Sequence, residues 1–147
     1  MSAGFKVRRD DRDKGLSMIQ ISSIAGTKGD LLELAVGATT WTEVTSSSTH
    51  FTRKAIAQDT YASADTEVLA LEVDGSELVE VQVANNSNAS HNGDRMVATD
   101  TNTVNNTGTD SAAKEAIFVQ RGIVGAVADK NIVGNIITGS GVNPDAA

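Results

Sequence analysis

Residues 67–83 read Glu67-Val-Leu-Ala-Leu-Glu-Val73, then Asp74-Gly75-Ser76, then Glu77-Leu-Val-Glu-Val-Gln-Val83. Two Val/Leu-rich runs alternate apolar and polar residues around an Asp-Gly pair, the pattern of two β-strands flanking a tight turn. A two-residue turn would set Glu72 opposite Glu77, an unfavourable like-charge pair. A three-residue loop over Asp74, Gly75 and Ser76 instead pairs Leu71 with Val79 and Leu69 with Val81, which collects the apolar side chains on one face. The expectation is a β-hairpin in that register.

Outward from this segment the chain keeps a strand-like texture. Met18-Ile-Gln-Ile-Ser-Ser-Ile24 alternates in part, Leu31 to Val36 is an apolar run of strand length, and Trp41-Thr-Glu-Val-Thr45 alternates again. Residues 53–64 are the one stretch with helical composition, but their apolar spacing is irregular and strand plus loop is the preferred reading. Arg95 to Thr99 and Ile132 to Ile137 read as strands, and Asp100 to Glu115 as an exposed polar loop. The glycines of Arg121-Gly-Ile-Val-Gly-Ala-Val127 sit inside a strand pattern, where they signal bulges or close backbone approach. Short strands punctuated by Gly and Asn indicate an all-β sandwich or barrel with long polar loops.

The pattern also recurs. Gly29-Asp30, Phe51, Ile56 and Gly75 in one half correspond at nearly constant offset to Gly93-Asp94, Phe118, Ile123 and Gly139 in the other. Such self-similarity is the mark of a repeated supersecondary unit. The organisation expected is an N-terminal arm over residues 1–15 and a single β-rich domain over residues 16–147, with two similar halves at about 29–75 and 93–139.

Composition narrows the function. The chain has 147 residues, no cysteine, 3% aromatic residues and a formal charge of −7. Its core must be built from Val, Ile, Leu and Ala, and thiolate metal sites and disulfides are excluded. The acidic balance argues against a nucleic-acid partner. No apolar run approaches a membrane span, and the charged N-terminus lacks the apolar region of a secretory signal.

A search for chemistry returns no catalytic, cofactor or metal residues. His50 and His91 lie in polar stretches and read as solvated loop histidines. No nucleophile elbow or phosphate loop occurs. Asp100-Thr-Asn-Thr-Val104 opens like a calcium loop but lacks its later ligands. A small hydrolase would need a polar pocket converging on His50 or His91, and a glycan-binding module would need Trp41 and Tyr61 exposed near one rim.

Gly93-Asp-Arg-Met-Val-Ala-Thr-Asp100, the polar loop after it, Gly122-Ile-Val-Gly-Ala-Val-Ala128 and Ile132-Val-Gly-Asn-Ile-Ile-Thr-Gly139 resemble the capsid decoration, or cement, proteins of tailed bacteriophages, the group that includes the lambda head decoration protein. The resemblance covers residues 93–139 well and 29–75 loosely. It implies a compact β-tulip-like domain without catalysis or cofactor. The partner it implies is the major capsid protein on the outer surface of the expanded head, and it implies a homo-oligomer, a trimer in preference to a dimer. It also implies an N-terminal arm that orders against the capsid, which assigns capsid binding to Phe5, Lys6, Val7, Arg8, Arg9 and Arg12. The alternative is a receptor- or glycan-binding module of a virion surface.

Overall fold

The computed structural model describes residues 4–9, 16–106 and 116–138. In chain order its strands are β1 (Lys6–Arg9), β2 (Ser17–Gln20), β3 (Leu31–Leu34), β4 (Thr42–Glu43), β5 (Arg53–Ala57), β6 (Glu67–Val73), β7 (Leu78–Val83), β8 (Arg95–Met96), β9 (Thr103–Val104), β10 (Phe118–Val124) and β11 (Asn131–Ile136). They form two curled sheets, one ordered β2-β6-β5-β3-β4 and one ordered β1-β7-β11-β10-β8, with β9 added in parallel to β7. The fold is all-β, as the strand patterning requires. Among the described residues helix is confined to two three-residue 3₁₀ turns, and no helix is long and apolar enough to cross a membrane.

The expected hairpin does not form. β6 pairs with β2 and β5, whereas β7 pairs with β11 along one edge and with β1 and β9 along the other. The two strands therefore belong to different sheets, and Asp74–Ser76 is a corner between them. The corner is held by side chains in place of a ladder. The Glu77 carboxylate accepts from the amides of Asp74 and Gly75, and Asp74 Oδ1 accepts from the amide and hydroxyl of Ser76. Gly75, at φ +95°, occupies the left-handed conformation this corner demands. Alternation read correctly that both runs are strands. It could not say which edges they would use, because β6 buries side chains on both of its faces.

The five-stranded sheet curls until Ile21, just past β2, bridges Trp41, just before β4; the Trp41 amide donates to the Gln20 carbonyl at 2.8 Å. This half-barrel encloses its own core: Ile19, Ile21, Leu32, Trp41, Ala55, Ala57, Tyr61, Val68 and Ala70. Three alanines on adjacent strands β5 and β6 keep the interior narrow, and Trp41 and Tyr61 fill what remains. The outer face of the half-barrel, through Leu31, Val44, Ile56 and Val73, packs on Val79, Val81, Phe118, Ile132 and Ile136 of the six-stranded sheet. Burying side chains of this size contributes about 1.5–3 kcal/mol each, so two small cores offset the scarcity of aromatic residues.

The two halves of the sequence repeat contribute to different sheets. The first supplies the meander β3-β5-β6 and the second β8-β10-β11, with the middle strand central in both. Their phenylalanines differ in setting, Phe51 being exposed and Phe118 fully buried. The expected bulge is present where the β10–β11 register shifts between Gln120 and Gly122. Residues 53–64 are strand and loop, not helix.

Candidate functional site

The N-terminal segment enters the fold through a tight crossing. Gly4 and Gly29 lie backbone to backbone at positive φ, a Cβ on Gly4 would sit 3.2 Å from the Gly29 Cα, and the Phe5 amide donates to the Gly29 carbonyl at 2.7 Å. Only glycines permit so close an approach. Phe5 then inserts into the intersheet core, 3% exposed, with its ring edge-on to Phe118 at 6.4 Å. From there Lys6 pairs with Glu80 and Val7 with Val79, so β1 is the edge strand of the six-stranded sheet.

Between β1 and the half-barrel lies a cavity of about 450 Å³. Phe5, Lys6 and Val7 form one wall, Ala57, Gln58 and Leu71 the other, with Lys28 and Gly29 at one end and Glu80 bordering it from β7. Glu80 is 1% exposed. Its Oε1 accepts from the Arg8 guanidinium, while its Oε2 has no hydrogen-bond partner. Met18 lies directly opposite Leu69 on the face that also carries Leu71, and Leu16 and Met18 are each 52% exposed.

The six residues assigned to capsid binding thus have different fates. Phe5 is a core residue and Val7 packs against the core; Lys6 lines the cavity, and Arg8 pairs with Glu80. The backbone of Arg9 pairs with Leu78. Arg12 lies outside the described residues, as do 107–115 and the repeat anchor Gly139. Lys6–Arg9 form a strand of the six-stranded sheet, so part of the segment expected as an arm lies within the fold. Sequence reasoning missed Glu80, Lys28, Leu16 and Met18. The signal available for Glu80 was an acidic residue in the middle of an apolar strand.

Two further polar centres sit within the packing. Lys54 is fully buried, donating to the carbonyls of Thr49 (2.7 Å) and Thr52 (3.1 Å) and to the Thr52 hydroxyl. That hydroxyl donates in turn to Glu33 at 2.9 Å, and Ser48 donates to the other Glu33 oxygen. Burial pushes the Lys54 ammonium down to about 8, against the opposing pull of Glu33. At the other end of the half-barrel the Tyr61 hydroxyl lies 2.9 Å from Asp30 Oδ2 and 3.3 Å from Glu43 Oε2. Burial, reinforced by those carboxylates, raises the Tyr61 pKa. Burial and then the charge of Asp30 raise that of Glu43, while the Tyr61 hydrogen bond lowers it.

The remaining candidates are placed as follows. His50 is not solvated: it is fully buried, with its ring 4.2 Å from that of Phe51, because Thr49–Thr52 fold over Lys54. His91 Nδ1 lies 2.9 Å from Asp94 Oδ2. Trp41 and Tyr61 are core residues and offer no aromatic rim. Asp100 Oδ1 is engaged by the amides of Asn102 and Thr103 and the Thr103 hydroxyl. Among the described residues no group of three or more His, Asp or Glu side chains could hold a metal ion. No protein-family model matches the chain, and no curated protein matches it.

Proposed function

We propose that this chain is a structural virion protein that binds the outer surface of an expanded bacteriophage head and stabilises the capsid lattice. The observation that carries the reading is the open side of the sandwich. There the edge strand β1 borders a cavity, and elsewhere on the described surface Leu16 and Met18 are exposed apolar residues. Edge strands and exposed apolar groups are the features by which a β domain gains a protein partner. The resemblance over residues 93–139 supports the same reading, and those of its motifs that lie in described residues fall on the β8-β10-β11 meander. A homo-oligomer, a trimer first, is part of the proposal. Copies repeated over a lattice hold by avidity, and they stabilise the assembled state because they bind it in preference to free capsomers.

The test is to mix the purified protein with undecorated expanded heads. Saturable, stoichiometric binding and a higher disruption temperature of the heads are expected. Absence of head binding, with binding to tails or cells in its place, overturns the reading.

A further inference from the structure

We propose that the cavity beside β1 is a docking slot for an extended segment of a partner protein, one that presents a basic side chain to Glu80 and a neighbouring acidic side chain to Lys6 and Lys28. Only the identification of that partner with the head surface rests on the decoration reading.

Glu80 carries the argument. A carboxylate at 1% exposure with one oxygen left without a donor is rare and costly in a folded protein. It borders a cavity, so a donor can be supplied from outside, and a guanidinium or ammonium group is the strongest donor available. Lys6 and Lys28 border the same cavity and form no ion pair among the described residues. They would repel a bare cation, so the occupant must carry negative charge as well. In a chain of net charge −7 this lysine pair is a local inversion of sign, suited to selecting an acid beside the base.

The surroundings favour a peptide over a small metabolite. Its lining is mixed, with Phe5, Val7, Ala57 and Leu71 beside Lys6, Lys28 and Glu80, which suits a chain of alternating apolar and charged side chains. Phe5, Val7 and Leu71 supply contacts for the aliphatic stem of a long basic side chain. β1 is an edge strand, so an extended segment can add main-chain hydrogen bonds alongside it. A volume of about 450 Å³ lies within the range of ligand pockets.

The test uses the full chain and a fluorescein-labelled peptide of sequence Val-Arg-Val-Asp-Val, read by fluorescence anisotropy, with a second peptide carrying norleucine in place of arginine. Saturable binding of the arginine peptide is expected, weakened about tenfold or more by Glu80→Gln and by the norleucine exchange. Lys28→Glu alters an exposed residue and leaves Glu80 in place, so it decides the matter if Glu80→Gln loosens β1; it too should weaken binding. No binding to the wild type, or equal affinity for the two peptides, overturns the proposal. Head binding is measured with the same variants. If wild-type protein binds the peptide but not heads, the slot is supported and the decoration reading falls. If wild type and Glu80→Gln bind heads equally well, the slot is overturned as the head contact and the decoration reading survives.

Discussion

Lys54 should give this protein an unusual alkaline gain in stability. Its ordinary pKa of 10.5 is the value in the unfolded chain, and burial lowers it to about 8 in the fold. Between those values the unfolded chain holds a proton that the native protein has released, so stability rises with pH across that window. The full shift corresponds to about 3 kcal/mol at about 1.4 kcal/mol per unit. About 2 kcal/mol of it develops between about pH 7 and about pH 9.5, with the rest above. For a chain of 147 residues that is a rise of about 4–8 °C in Tm. The perturbation is Lys54→Met, which fills the site without an ionisable group and leaves Glu33 its hydroxyl donors Ser48 and Thr52. Thermal and urea unfolding of both proteins across this pH range should give diverging curves, wild type gaining on the variant as pH rises. Parallel curves would falsify the reasoning, since the buried ammonium would then titrate alike in the folded and unfolded states.

Three other outcomes follow from the geometry. Tyr61 is the single tyrosine, so tyrosinate absorbance reports it alone. Its folded pKa is raised, so its contribution is complete below the ordinary value of 10.0 and is lost as pH rises beyond it; tyrosinate should appear only with unfolding, and ionisation in the native protein refutes the buried network. Glu43→Gln should raise Tm at neutral pH, because burial and Asp30 disfavour the ionised carboxylate. The gain should vanish below the carboxylate's ordinary 4.5, where the wild-type group is protonated in both states; a loss of Tm at neutral pH contradicts this. Gly134→Ala would place a Cβ 1.9 Å from the Val119 carbonyl and 2.8 Å from the Phe118 ring. It should cost more than about 3 kcal/mol in denaturant unfolding, and a near-neutral result removes the close-packing argument.

The strands were legible in the sequence because each carries a local signal. Leu31 to Leu34, Arg53 to Ala57, Glu67 to Val73 and Asn131 to Ile136 all sit in or beside runs whose apolar content and length suit a strand. What the sequence could not reveal is edge pairing, because backbone hydrogen bonds are blind to side-chain identity. Asp74-Gly75 is equally good chemistry for a hairpin and for a corner, and the choice is made by β1 and β11, which lie far from it in the chain. The burial of Lys54 and His50 was invisible for a related reason. Both look like surface residues until Thr49 and Thr52 turn their carbonyls and hydroxyl inward. The candidate site was half legible. Lys6 and Val7 of the N-terminal segment line the cavity, Phe5 lines it while also serving the core, and Glu80 and Lys28 arrive from other strands and loops.

The corner at Asp74–Ser76 also sets an order of events. Every strand of the half-barrel lies between Ser17 and Val73, so that sheet can assemble from contacts within one stretch of chain. β1, although first in the chain, has no strand partner until β7 exists beyond the corner, and β7 gains its second long neighbour only with β11. Loop closure over such separations is slow, as in other folds of high contact order. During synthesis the N-terminal strand should therefore wait, unpaired, while the half-barrel forms beside it. The opening that β1 finally borders is one the protein leaves uncovered until late in its own folding.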